Sequence, residues 1–392
     1  MISTSALNSI NINRVLRTLW EKEPISRIDI SKHLELDKST ITKIMTQLLE
    51  RQIVLEQSFG DSKPGGGRKP IYLGINKVYG AIIGVELQTD LARVVAVSIT
   101  GEILFQKQQF LNFDKTNISE LFEQIVLWHK AQLEKDGWRV LGASLGIAGI
   151  VNPYERTIIQ SNPLYITSAV KLDQSIDQRL GMPVFLENDT RCCCWAHLVE
   201  KKSQDPKHLM YLLGEFRKHT VTNVHSRVLA IGLAFVIDGK LHYGQNFTSG
   251  EFSSILKKDH NPTQFSTPNQ EAVFLGISDH SQRKHIFHEL AENIAFLTNI
   301  LNLGTIGIAG DVAEYHQELT DALTESIEQN WSYKQQAQVE IVVTPFREWA
   351  VAYGAAAFVI ERLFALPKMN DVQDQQLEMG IELFDLIDEI GG

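Results

Sequence analysis

The sequence predicts an α/β protein in two unequal parts, a small N-terminal winged helix-turn-helix followed by a larger α/β body. Three observations carry that prediction. Helical apolar spacing as far as Leu49 gives way to two strand-like runs that flank the glycine stretch Gly65-Gly66-Gly67. From Tyr79 onward, strand-like and helix-like runs alternate. Charge divides at the same place: residues 1–80 hold 12 Lys+Arg against 8 Asp+Glu and the remainder 25 against 39, within a net charge of −10. A mildly basic head on an acidic body assigns nucleic acid to the head alone.

The head follows from spacing. Asn8 to Lys22 places Ile12, Val15, Leu16 and Leu19 on one helical face, and Pro24 closes the run. Ser26 is expected to cap a second helix with Ile28, Ile30 and Leu34 inward, and Glu35-Leu36 forms a short connection. Asp37 or Ser39 can cap a third helix, whose Ile41, Ile44, Met45, Leu48 and Leu49 recur at helical spacing and must face the core. The opposite face then presents Ser39, Thr40, Thr42, Lys43, Thr46 and Gln47, groups able to reach base edges or phosphates in a major groove. Ile53 to Gln57 and Pro70 to Leu73 are expected to pair as a hairpin. Its glycine tip, with Arg68 and Lys69, reads as a wing, because arginine is drawn to the negative potential of a narrow minor groove.

In the body, Gly80 to Leu87, Leu91 to Ile99 and Gly101 to Phe110 read as three strands joined by short turns. Ile118 to Leu133 is an amphipathic helix with Ile118, Leu121, Phe122, Ile125, Val126 and Trp128 inward, and Val140 to Ile147 is a further buried strand. Met210 to Leu213 and Val228 to Ile237 are expected strands, the second turning at Asp238-Gly239, with helices at His285 to Leu301 and Pro345 to Leu363. The small-residue patch Gly354 to Ala357 permits close helix packing, and the acidic tail from Gln373 to Gly392 has helical character. Three consecutive cysteines, Cys192 to Cys194, point about 100° apart on a helix and cannot converge on one metal ion, so they are expected to pack as small apolar groups. No apolar run approaches the roughly 20 residues that span a bilayer, and Met1 to Ile10 lacks a charged start with an apolar core; a soluble cytoplasmic chain is expected.

Several motifs then fall in one order: Gly146-Ile147-Ala148-Gly149-Ile150-Val151-Asn152, Pro183 to Asp189 ending in Glu187-Asn188-Asp189, and Ser249-Gly250-Glu251. Together they resemble the ROK family of repressors and sugar kinases, in the branch with an N-terminal winged helix-turn-helix that is similar to xylose repressors. The resemblance runs to about residue 365. It implies a two-lobed actin-like, ribonuclease-H-like body with sugar in the cleft. The expected organisation is a DNA-binding head over 1–76, a first lobe over 77–190, a second lobe for sensing and dimerisation over 191–366, and a tail over 367–392. By the same resemblance the sugar contacts are Asn162, Asn188, Asp189, Glu251 and Glu271, Asp189 matching the base of the kinases. Taken alone, Glu187-Asn188-Asp189 reads first as a strand-to-helix turn in which Asn188 or Asp189 caps a helix through Trp195.

Departures from the family pattern separate regulator from kinase. The phosphate-cradling Asp-x-Gly-Gly-Thr is replaced by Glu86-Leu87-Gln88-Thr89-Asp90, where no glycine admits phosphate and Asp90 repels it. The second phosphate loop becomes the polar run Glu215 to Arg227, and the adenosine-side pair survives as Ala309-Gly310. The family's zinc ligands are absent: Ser254 stands at the histidine position and Gln264 to Gln270 holds no cysteine, leaving His260 as a candidate only if the loop refolds. Expected, therefore, is a repressor of carbohydrate genes, with xylose utilisation the nearest instance, that senses sugar without phosphorylating it. It needs no catalytic residue, metal or cofactor, and its partners are operator DNA, a sugar effector and a second copy of itself in a homodimer. Two other readings stay open: an ATP-dependent sugar kinase with a fused head, and a regulator that senses a protein partner.

Overall fold

A computed structural model describes residues 4–59, 70–111, 117–202, 207–219, 226–258, 263–267, 279–333 and 338–365. In the head, α1 (Thr4–Lys22), β1 (Ile25–Ser26), α2 (Arg27–Leu34) and α3 (Lys38–Glu50) precede the hairpin β2 (Val54–Phe59) and β3 (Ile71–Ile75), and β1 pairs with β3 to give the order β1-β3-β2. Ser26 caps α2, accepting from the Asp29 amide at 3.2 Å, while Glu35 ends it with φ 53°. Asp37 holds the N-cap position of α3 without a side-chain hydrogen bond. Ile41, Ile44, Met45 and Leu48 are buried, with Leu49 half-buried beside them. One inward assignment fails: Ile28 is 51% exposed. Residues two apart on a helix diverge by about 200°, so Ile28 and Ile30 cannot share a face.

The first lobe begins with β4 (Ala81–Leu87), β5 (Leu91–Ser98) and β6 (Ile103–Phe110), followed by α4 (Ile118–Lys135) and β7 (Val140–Ile147). A small antiparallel flap, β8 (Ile150–Asn152), β9 (Thr157–Gln160) and β10 (Val170–Lys171), leads through α5 (Ile176–Leu180) to β11 (Val184–Asn188). Next come α6 (Asp189–Lys201), β12 (Leu209–His219), β13 (Ser226–Ile237), β14 (Lys240–His242) and α7 (His280–Leu301). The chain finishes with β15 (Thr305–Gly310), α8 (His316–Gln329), β16 (Glu340–Val343) and α9 (Ala350–Leu363). The two main sheets, β11-β7-β4-β5-β6 and β14-β13-β12-β15-β16, share one topology: an antiparallel meander whose first strand is extended by two parallel strands. That repetition is the two-lobed architecture expected of the body.

The lobes meet through two helices. α6 lies on β12 and β13, and α9, which the sequence grouped with the second lobe, packs instead on β4, β5 and β7 of the first. Where α6 and α9 cross, a Cβ on Gly354 would lie 1.9 Å from the Cys192 carbonyl oxygen, so the crossing requires glycine. Cys192, Cys193 and Cys194 are all buried and form no disulfide, small side chains on the helix that meets α9. α9 starts at Ala350 rather than near Pro345, because a short 3-10 turn at Arg347–Trp349 precedes it. No helix among the described residues is long and apolar enough to cross a membrane.

A second inward assignment also fails. Trp128 is 57% exposed and the buried position belongs to His129, which stacks on Phe105 at 5.1 Å. Burial, then the charge of Lys107, lowers the His129 pKa to about 4; burial, then Lys201, does the same for His197. Both imidazoles stay neutral in the fold, whereas the unfolded chain protonates them below its ordinary value of about 6.5. Their contribution is therefore complete above that pH and is lost as pH falls toward about 4. The urea midpoint is expected to drop between neutral pH and pH about 5, and to drop less in His129→Phe. An equal drop in that variant would remove His129 from the account.

Candidate functional site

β11 runs parallel to β7 and ends at Asn188, which turns the chain into α6. Asn188 caps that helix, its Oδ1 accepting from the Arg191 amide at 3.0 Å, and it also lines the interlobe cleft. The capping and cleft roles, alternatives in the sequence, coincide in one side chain. Its Nδ2 donates to the Gly149 carbonyl at 2.9 Å and to Asp189 Oδ1 at 2.8 Å. Gly149 has φ 120°, and a Cβ there would lie 2.3 Å from the Gln160 carbonyl, which explains the glycine at this turn.

The cleft has a volume of about 380 Å³ and is bordered by Asn162 and Gln160 from the flap, Asn188 and Asp189 from the start of α6, and Glu251 from the second lobe. Leu213, Leu229, Ile231 and Leu233 supply an apolar wall. Amides and carboxylates facing an aliphatic wall suit a ligand with hydroxyls on its edge and C–H groups on its face. Partial desolvation and then the charge of Asp189 raise the Glu251 pKa, while Arg191 pulls the other way. Thus four of the five sugar contacts expected from the sequence border one space. Glu271 lies outside the described residues.

Beneath the cleft is a buried network that the sequence did not disclose. Arg191 Nε donates to Glu187 Oε1 at 2.7 Å, and the two side chains are 2% and 0% exposed. Glu187 Oε2 accepts from Tyr243 Oη at 2.9 Å and from Trp195 Nε1 at 3.4 Å. Arg191 also reaches the Val151 carbonyl of β8 at 2.7 Å and the Phe247 carbonyl at 3.4 Å, and lies 4.8 Å from the Tyr243 ring centroid. A Glu and an Arg four apart at a strand-to-helix junction was the available signal, but nothing in the sequence marked it as buried.

The end that the family resemblance assigns to phosphate differs. A hairpin pairs β12 with β13 as far as His219 opposite Ser226, so the backbone at Glu215 and Phe216 belongs to a ladder instead of an open anion cradle. Glu86 is buried and held by Arg93 at 3.2 Å, and Gln88 donates to it at 2.6 Å. Ser254 is buried and accepts from Asn293 Nδ2 at 3.2 Å on α7, away from the cleft lining. Gln264 closes the neighbouring loop: its Oε1 accepts from the Ile231 amide at 2.8 Å, and its Nε2 donates to the carbonyls of Ile231 at 2.8 Å and Phe252 at 3.0 Å. Beside it Phe252 and Phe265 pack on each other, their ring centroids 5.8 Å apart. An amide clamp and an aromatic pair thus do the loop-closing work; His260 lies outside the described residues, among which no cluster suited to a metal ion occurs.

On the head, Ser39, Thr42, Lys43, Thr46 and Gln47 are exposed along α3 and Thr40 is half-buried. Thr42 and Thr46 bond back to the Lys38 and Thr42 carbonyls at 2.7 and 2.9 Å, which sets their hydroxyl positions. Arg68 and Lys69, with the glycine tip, lie outside the described residues.

Residues 82–264 match the ROK family and residues 12–57 the MarR family. The xylose repressor of Caldicellulosiruptor bescii is 24% identical, over 92% of this chain and 98% of that protein. The xylose repressor of Staphylococcus xylosus is 27% identical, over 81% and 75%. Among solved structures, a ROK family transcriptional regulator homologous to the E. coli MLC protein superposes with a TM-score of 0.72 at 19% identity, over 91% of this chain and 97% of that one. A ROK family glucokinase from Streptomyces griseus, in complex with glucose and AMPPNP, superposes with a TM-score of 0.53 at 18% identity, over 71% and 99%.

Proposed function

We propose that this chain, a ROK-family domain behind a MarR-type helix-turn-helix, is a sugar-responsive transcriptional repressor that acts on carbohydrate genes, with xylose utilisation as the first case to examine. The observation that carries this reading is the contrast between the two ends of the interlobe cleft. Asn162, Asn188, Asp189 and Glu251 line the sugar end, while the phosphate end has lost its glycine cradle to strand pairing and carboxylates. Phosphoryl transfer depends on positioning and charge stabilisation at the phosphates, so binding can persist where turnover has gone.

The effect on DNA follows by linkage. A sugar held between the lobes favours one closure state, and closure moves α6 relative to α9. Both helices end on the head. Lys202, just after α6, reaches Glu23 at 3.5 Å, and Glu361 of α9 pairs with Arg17 of α1 at 2.7 Å. In a two-fold dimer, a change in head orientation alters the separation of two α3 helices and hence affinity for a palindromic operator. Ser39, Thr40, Thr42, Lys43, Thr46 and Gln47 read the major groove, and Arg68 and Lys69 serve the wing.

The expected result is that purified protein shifts its own promoter fragment and that one of a panel of pentoses, hexoses and their neutral disaccharides reverses the shift. Calorimetric titration with ATP and magnesium is expected to give no heat. Turnover of ATP in the presence of a sugar, with no promoter binding, would replace this reading by a kinase.

A further inference from the structure

A second chamber of about 290 Å³ lies beside the sugar cleft and shares Ala148, Pro163 and Asp189 with it, so the two are neighbours across those residues. The chamber lies between the β4–β5 turn and Glu215, Phe216 and Asp311 of the second lobe. We infer that it holds the second ring of a neutral disaccharide, with the first ring in the sugar cleft and Asp189 at the junction. This inference rests on the sugar-sensing reading above and specifies its ligand.

Three features of the chamber support that occupant. Its size comes first: the cleft alone, about 380 Å³, already lies within the roughly 300–1,000 Å³ of ordinary ligand sites, and the chamber enlarges it well beyond the needs of one pentose or hexose. Its charge comes second. Among the described residues, Glu86, Asp90, Asp189, Glu215 and Asp311 line it against one cation, Arg93, which is 3.2 Å from Glu86, a lining that disfavours phosphate and other anions. Its chemistry comes third. Gln88, Thr89 and the carboxylates offer acceptors and donors to ring hydroxyls, while Phe216 and Phe110 offer flat apolar faces to ring C–H groups. Phe110 is 82% exposed, an aromatic ring at the chamber mouth left largely unpacked by the fold.

The test is calorimetric titration of the full chain with xylobiose, cellobiose, maltose and sucrose, and with the monosaccharides D-xylose, D-glucose and D-fructose. At least one disaccharide is expected to bind about tenfold or more tightly than its own monosaccharides. Phe110→Ala and Thr89→Trp, both lining the chamber and neither lining the sugar cleft, are expected to remove that advantage and leave monosaccharide affinity unchanged. A monosaccharide that binds as tightly as every disaccharide overturns the inference alone, as does a disaccharide whose affinity ignores both variants. Failure of every sugar, large or small, overturns the sugar-sensing reading and the inference with it.

Discussion

Arg191→Met is expected to lower the body's unfolding free energy by about 3–5 kcal/mol, because removing one partner of a buried ion pair strands the other charge. Glu187 is fully buried, and its remaining partners, the Asn188 amide, Tyr243 and Trp195, are neutral donors. The companion experiment replaces both members. Glu187→Leu with Arg191→Met is expected to recover much of the loss, since a well-packed apolar pair dispenses with the desolvation that the ions require. Urea unfolding of the wild type, the two single variants and the double variant gives the cycle. A double variant no more stable than Arg191→Met would mean that the pair's value lies in its links to Val151 and Phe247 rather than in the charges. Those links tie the flap, α6 and the loop before Glu251 together around the cleft. For that reason the rescued double variant is still expected to have lost its sugar response.

What could be read from the sequence, and what could not, divides along local and non-local physics. Periodicity located β4, β5, β7, α3 and α4 to within a few residues, since each has one face or both faces in a core. It misplaced Ile28 and Trp128 because a stripe read by eye takes in residues at the edge of the face. β15, α8 and β16 went unread: β15 and β16 are short, and the stripe of α8, Leu319, Leu323 and Ile327, has the helical spacing but is thin within an otherwise polar sequence. The motif ending in Asn188-Asp189 was legible because a strand-to-helix turn concentrates cap and site in adjacent positions. Arg191, Tyr243 and Gln264 were not, since their roles depend on partners brought close only by the meeting of the lobes and the folding of the loop after Glu251. The same holds for the triple cysteine. Its burial could be expected from residue type, but the close approach of Cys192 to Gly354 where the helices cross could not.

Phe364→Ala is expected to separate DNA binding from sugar response. Trp20 of α1 is 1% exposed and stacks on Phe364, just beyond α9, at 5.3 Å with an interplanar angle of 14°. The Arg17 guanidinium and the Lys202 ammonium lie 4.8 and 5.5 Å from the same indole, so three elements converge on one ring. Truncating a buried phenylalanine costs about 3–5 kcal/mol, and here that loss falls on the contact between head and body rather than on α3. Operator affinity without sugar should stay within a few-fold of wild type, because Ser39 to Gln47 are untouched. The sugar effect, which for a coupling of about 1–3 kcal/mol amounts to roughly 5–150-fold in affinity, should collapse toward unity. Glu361→Gln, which weakens the ion pair to Arg17 but keeps the aromatic stack, is expected to reduce the effect without abolishing it. Fluorescence anisotropy on operator DNA, with and without saturating sugar, reads both quantities in one titration. If Phe364→Ala protein released DNA over the same sugar range as wild type, the signal would have to reach the heads by a route other than the Trp20 contact, such as a change at the interface of the proposed dimer.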